Sequence, residues 1–202
     1  MKILFIRHGQ TKNNAEQKWL GSTDVPLWQE GINALLKNKS NIDKYKPFEK
    51  LYLSPMKRCI ETAKIYFDDM NPEIMNDLRE RGFGKFEGMS YSELKDNPYY
   101  KEFVKSSWRS EVPSGEIAND FFNRVYNVYL NIIEDMNKNN LNYTAVVTHG
   151  GVIMTILDKY NSAEKVPFYD YLLPNGCGYL TEIIENNNLK IIDKILLQNN
   201  GN

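Results

Sequence analysis

The chain has 202 residues, 42% hydrophobic and 25% charged, with a formal net charge of −1. This is the balance of a soluble globular protein long enough to bury a sizeable core in one domain, and it excludes a global basic field that would gather nucleic acid or anionic lipid, so any anion site must be local. No run approaches the ~20 apolar residues that span a bilayer, and the apolar start, Ile3 to Ile6, is cut by Arg7 and His8 before it reaches the length of a secretory signal.

Residues 2–6 (KILFI) read as a buried strand of an α/β sheet. Residues 29–38 read as helix and 50–53 (KLYL) as a second strand. In "SPMKRCIETAKIYF" Ser54 suits an N-cap and Pro55 the first helical position. Cys59 on this helix reads as core filler. Residues 73–78 read as strand or extended chain. Ser90 and Glu93 have capping-box spacing, which starts a helix near Ser90. From Ile117 to Met136 apolar residues recur at helical spacing (Phe121, Val125, Tyr129, Ile132, Met136), predicting a long amphipathic helix. Residues 144–148 (TAVVT) form a third strand, with a helix after Gly150-Gly151. "CGYLTEII" and "LKIIDKILL" read as two strands joined by an Asn-rich turn. The expected fold is an α/β three-layer sandwich: a mostly parallel central sheet with an antiparallel edge and helices on both faces. We expect one domain, 1–202, with a helical cap-like insertion at about 89–116. The two cysteines, Cys59 and Cys177, lack metal-ligand spacing and read as free thiols of a cytoplasmic protein.

In open α/β sheets ligands bind beyond the carboxyl ends of the strands. The first strand delivers Arg7 and His8 there, the second Ser54 with Arg58 one turn into the next helix, and the third His149 before a glycine-flanked helix start. The chain has only these two histidines. Arginines and a helix N-terminus suit a phosphate. A neutral imidazole among guanidinium groups suits a nucleophile that forms a phosphohistidine. The histidines read alternatively as structural groups at strand ends, or as metal ligands, which would require a third ligand and sits badly with adjacent arginines. The reaction also needs an acid for the departing alkoxide, and composition leaves it open among 26 acidic residues. Glu80, Glu87 and Glu116 are the nearest candidates. Tyr91, Tyr99, Tyr100, Phe103 and Trp108 read as core and cap packing, part of which could line a substrate entrance.

"RHGQTKNN" resembles the R-H-G-[E/Q]-T-x-x-N signature of the histidine phosphatase superfamily, the phosphoglycerate mutase-like proteins. "GSTDVPLWQEG", "SPMKRCIETA", "LRERGFGKFEG", "PSGEIANDFFNRV" and "VVTHGGVI" resemble its further motifs, in order, from Ile3 to about Asn175. The resemblance implies His8 as the phosphorylated nucleophile and Arg7, Arg58 and His149 as phosphate-pocket residues assisted by Asn14. It places Gly21 and Gly150 among the substrate-binding positions. Glu80 becomes the acid that protonates the leaving group and later activates water. No metal and no organic cofactor are implied.

The short span between Glu80-Arg81 and the second histidine, and "FGKFEGMSYSEL" with "PSGE", resemble the phosphatase branch, nearest alpha-ribazole phosphatases. The expected activity is hydrolysis of small phosphomonoesters by a monomer or homodimer, without nucleic-acid or membrane partners. The alternatives are a cofactor-dependent phosphoglycerate mutase and, in another class, a non-catalytic phosphate-binding regulatory protein. Trp28 and Ile117 replace the family's usual threonine and serine, which suggests a more apolar substrate.

Overall fold

The computed structural model describes residues 1–163 and 166–197. Six strands form one sheet: β1 (Lys2–Arg7), β2 (Lys50–Leu53), β3 (Glu73–Ile74), β4 (Tyr143–Thr148), β5 (Gly178–Ile183) and β6 (Leu189–Ile195), in the spatial order β3-β2-β4-β1-β5-β6. β3, β2, β4 and β1 are mutually parallel, while β5 runs antiparallel to both β1 and β6. This is the mostly parallel sheet with an antiparallel edge that the sequence predicts.

Strand periodicity builds the layers. Successive side chains of a strand point to opposite faces, and a strand buried on both faces is apolar throughout. On β1, Ile3 and Phe5 enter one core and Leu4 and Ile6 the other; on β4, Val146 faces the first and Ala145 and Val147 the second. The first core is closed by α6 (Ala118–Lys138) and α7 (Gly150–Tyr160), the second by α2 (Gln29–Asp43) and α3 (Lys57–Tyr66). On α6 the stripe Phe121, Val125, Tyr129, Ile132, Met136 is fully buried, as its spacing requires.

Several boundaries move. α2 continues to Asp43 because Ile42 extends the buried face begun by Leu35. The strand expected at 73–78 pairs only at Glu73 and Ile74. Asn76–Leu78 turns as a 3₁₀ segment that buries Leu78, whose carbonyl accepts the Thr148 hydroxyl at 2.7 Å. α3 starts at Lys57 with Met56 in the N-cap position, so Ser54 does not cap it; the Ser54 hydroxyl is engaged by His149 instead. The capping box at Ser90 and Glu93 forms and opens a single turn, α4 (Tyr91–Leu94), followed by α5 (Pro98–Lys105) with Asn97 as its cap. The turn between β5 and β6 places Asn186 and Asn187 in the left-handed region, which asparagine tolerates better than most residues.

The register brings the catalytic candidates together. Arg7 of β1 is level with Thr148 of β4, and Leu53 of β2 with Val147. The ladder runs one step further: the His8 N–H donates to Thr148 O at 2.9 Å and the Ser54 N–H to Val147 O at 3.1 Å. His8, Ser54 and His149 therefore leave three neighbouring strands at the same end of the sheet.

Candidate active site

The two imidazoles meet edge to face, with ring centroids 5.1 Å apart, and both are buried. His8 Nδ1 lies 2.7 Å from the Gly9 carbonyl oxygen. A carbonyl only accepts, so Nδ1 carries the proton and Nε2 keeps its lone pair. His149 Nδ1 accepts from Arg58 Nε at 3.3 Å, and its Nε2 donates to Ser54 Oγ at 2.8 Å. Burial, reinforced by Arg58 and Arg7, holds His8 well below the ordinary imidazole range. Burial and Arg58, with His8 next, do the same to His149. Both rings are neutral in the folded protein at neutral pH.

The arginines divide their work. Arg58 donates from Nη1 to Thr23 O at 2.9 Å and from Nη2 to Gly21 O at 2.8 Å, so it ties the 21–23 loop to the site and keeps N–H groups on both Nη atoms for a ligand. Gly21 is required by close approach, since a Cβ there would stand 2.1 Å from Arg81 O. Arg7 Nη1 donates to Leu173 O at 2.6 Å. Among the described residues its Nε is buried without a hydrogen-bond partner, an unusual cost that an anionic ligand oxygen would remove. A Cβ built on Gly150 would lie 3.3 Å from this same nitrogen, so the glycine keeps the approach to Arg7 open. Asn14 Oδ1 accepts from the Thr11 N–H and from Asn175 Nδ2, at 3.1 and 3.2 Å. That fixes the amide and leaves its own NH₂ for the cavity that Asn14 lines.

Among the three acidic candidates only Glu80 is buried and beside both arginines. Its Oε2 accepts the Gly151 N–H at 2.9 Å and its Oε1 the Arg81 N–H at 3.0 Å. Burial nevertheless raises its pKa, against the opposing pull of these N–H groups and of Arg58 and Arg7. Glu87 instead binds the 22–23 loop through Ser22 and Thr23, which hold it below the usual carboxylate range despite partial burial. Glu116 is paired with Arg124 at 2.6 Å. Arg124 also donates to the Glu80, Arg79 and Asp77 carbonyls, so Arg124 and Glu116 brace the segment that carries Glu80. The sequence reading offered the free N–H groups at the start of α7 to a ligand anion, but the Gly151 N–H is already occupied by Glu80.

Two further neighbours support the His8 loop: Asn175, outside the quoted motifs, and Thr62, the threonine of SPMKRCIETA. Asn175 donates to the His8 carbonyl at 3.1 Å as well as to Asn14, and Thr62 Oγ1 accepts the Gly9 N–H at 2.8 Å. Cys59 is core filler, as expected, with its Sγ 3.5 Å from His149 Nε2; burial pushes its thiol up to about 12, so it stays protonated. Trp108 packs so closely on Gly151 that a Cβ there would stand 2.3 Å from its ring and 2.3 Å from Glu80 Oε1.

A cavity of about 790 Å³ opens beside this cluster and reaches Arg7, Asn14, Glu80, Gly150 and Gly151. The aromatic group divides: Tyr91, Tyr100 and Trp108 line the cavity, while Tyr99 is exposed outside it and Phe103 is buried in the core behind it. Trp28 and Ile117 line neither this cavity nor the adjoining polar cleft of about 720 Å³ that meets Glu80 from the other side.

The family model of the histidine phosphatase superfamily (branch 1) matches residues 3–190. The chain belongs to this superfamily. It is 33% identical over 171 residues to phosphoglycerate mutase-like protein 4 of Arabidopsis thaliana, covering 82% of this chain and 74% of that one. It is 24% identical over 190 residues to the adenosylcobalamin/alpha-ribazole phosphatase of Salmonella typhimurium, covering 92% of each. The 2,3-bisphosphoglycerate-dependent phosphoglycerate mutase of Blochmanniella floridana is 26% identical over 227 aligned positions, covering 95% of this chain and 96% of the mutase. A crystal structure of phosphoglycerate mutase from Thermus thermophilus superposes with a TM-score of 0.73 at 27% identity, over 98% of this chain and 100% of that one. Superfamily members related to this chain thus include both phosphatases and mutases.

Proposed function

We propose that the protein is a phosphomonoesterase that works through a phosphohistidine on His8. The observation that carries this is His8 itself: its Nδ1 proton is held by Gly9 O, which leaves Nε2 nucleophilic beside the unpartnered Arg7 Nε. Nε2 attacks phosphorus, and the bond to the alcohol oxygen breaks. Arg7, Arg58 and Asn14 stabilise charge on the phosphoryl oxygens. Glu80, whose pKa is raised by burial, gives its proton to the leaving oxygen. The resulting carboxylate takes a proton from water as that water attacks the phosphohistidine, which releases phosphate and restores both groups. His149, neutral and held by Ser54 and Arg58, braces the phosphoryl group on the side facing β2. No step calls on a metal.

Two observations support hydrolysis over mutase activity. Alignment with the Blochmanniella mutase needs 227 positions, more than the 202 residues of this chain, whereas alignment with the Salmonella phosphatase runs over 190. The extra positions are segments of the Blochmanniella mutase with no counterpart here; the Thermus mutase, matched over its whole length, has no such segments. The cavity wall is also aromatic (Trp19, Phe83, Tyr100, Trp108), a surface that suits a bulky apolar leaving group better than phosphoglycerate. We place the activity in the cytoplasm, and assign α4 and α5 the part of a cap over the phosphate site.

The test is turnover of p-nitrophenyl phosphate with and without EDTA. Turnover is expected to be indifferent to the chelator and abolished in His8→Ala, with a phosphohistidine trapped on His8 by acid-free quenching. A wild-type protein inert toward a panel of phosphomonoesters, with no trapped intermediate, would leave the non-catalytic phosphate-binding reading. Rapid interconversion of 3- and 2-phosphoglycerate with 2,3-bisphosphoglycerate, and little phosphate release, would establish the mutase instead.

A further inference from the structure

The cavity is far larger than a phosphoryl group needs, and its outer part has a charge that the chemistry at His8 does not use. Its lining includes Lys18, Lys95, Lys101 and Lys105, and among the described residues Glu80 is the single acidic side chain of the lining. Lys95, Lys101 and Lys105 are exposed, so they stand at the solvent end, while Arg7 and Glu80 stand at the buried end.

The local structure gathers these charges on one side of the cavity mouth. On α5 the residues that line the cavity are Tyr100, Lys101, Val104 and Lys105. That spacing sets an apolar row, Tyr100 and Val104, beside a cationic row, Lys101 and Lys105. Like charges at i,i+4 destabilise a helix. Lys105 in the last turn suits the helix dipole, but Lys101 stands near the N-terminus of α5, where a cation opposes it. These charges are only partly neutralised nearby. Lys18 is paired with Glu16 at 2.8 Å, but Lys101 approaches Asp96 only to 3.8 Å. Among the described residues Lys95 and Lys105 form no ion pair. Between the cationic outer end and the phosphate end lies the aromatic wall, with Trp19 and Trp108 5.8 Å apart between ring centroids.

We propose that the substrate is a phosphomonoester whose leaving group has a bulky apolar body and a second anionic group at its far end, held by Lys95, Lys101 and Lys105. The proposal rests on the phosphatase reading above and specifies its substrate class. The phosphoryl group sits at Arg7 and His8, the apolar body crosses the aromatic wall, and the second anion reaches the lysines.

Three substrates with the same biphenyl body test it: biphenyl-4-yl phosphate, and the same compound with a carboxylate or a phosphonate at the far para position. At low salt the wild type is expected to favour either charged substrate over the neutral one by roughly tenfold in kcat/KM, the effect of one well-placed charge-assisted contact. The preference should shrink as salt is raised. In the Lys95→Gln/Lys101→Gln/Lys105→Gln variant the ratio of charged to neutral substrate should fall to near one. A carboxylate-only or phosphonate-only preference, lost in this variant, identifies which anion the site takes. Equal kcat/KM for charged and neutral substrates, or a preference that survives in the variant, overturns the proposal. Binding of the corresponding non-hydrolysable methylenephosphonates, measured by calorimetry, separates the two readings. A charge preference in binding without any turnover leaves the subsite and removes the phosphatase. Turnover without a charge preference does the reverse.

Discussion

Burial raises the pKa of Glu80 against two backbone N–H donors and two arginines that favour its anion, and this balance predicts how it fails. Glu80→Gln keeps the size and removes the proton. Hydrolysis of an alkyl phosphate, whose alkoxide must be protonated to leave, is expected to fall by about 10²–10⁴. p-Nitrophenolate leaves without help, so burst-phase phosphorylation by p-nitrophenyl phosphate should fall much less; equal losses on both substrates would remove Glu80 from the acid role. The pH profile has the same origin. His8 lies well below the usual imidazole range, so the nucleophile stays unprotonated into acid, and the raised Glu80 sets a descending alkaline limb in kcat/KM that Glu80→Gln should erase. Gly151→Ala tests the packing: its Cβ would stand 2.3 Å from both Glu80 Oε1 and the Trp108 ring. Activity on alkyl phosphates should be lost even where the variant folds by circular dichroism. At this scale the sequence pointed to His8, Arg7, Arg58, His149 and Glu80 through motifs. It was silent on Asn175, which acts through a backbone carbonyl that no spacing encodes, and it gave no role to Thr62 and Arg124, although both stand in the quoted motifs.

At the scale of elements, periodicity was the reliable signal. The buried stripe of α6 lies where its apolar spacing put it, because an i,i+4 row on a helix has one face and one sheet to cover. Ile132 is fully buried at its centre, and Ile132→Ala is expected to cost about 2–5 kcal/mol in chemical denaturation. That residue touches no part of the site, so kcat should be nearly unchanged. Capping signals were less reliable. Ser90 and Glu93 formed their box, since the partners of the Ser90 hydroxyl, Glu93 and Ser92, are both local. Ser54-Pro55 did not cap α3, because the histidine that follows β4 competes for the same hydroxyl. A cap is a local interaction, and a partner from a distant segment can displace it.

For the whole molecule, burying two neutral histidines has a thermodynamic consequence. Both are held below the imidazole range in the fold, so the unfolded chain binds more protons in acid than the native one. Their stabilisation is present above the unfolded imidazole pKa of about 6.5 and is lost as pH falls below it. With both rings contributing, stability should drop by up to about 2.7 kcal/mol per pH unit below about pH 6.5. Glu80 acts in the opposite sense, since its raised pKa favours the fold most in acid and less as pH rises through that pKa, and it flattens part of the slope. Denaturant midpoints between pH 7 and pH 5 measure this; a flat profile would show that the rings are charged in the fold. The sequence by itself determined the layered α/β architecture and the strand ends that carry Arg7, His8, Arg58 and His149, because hydrophobic period and chain order are written in adjacent residues. Only the tertiary structure decided which carboxyl sits by the arginines, where Ser54 points, and what lines the cavity. Those depend on segments as far apart as Glu80 and Gly151, whose meeting is set by packing across the sheet and by no local pattern.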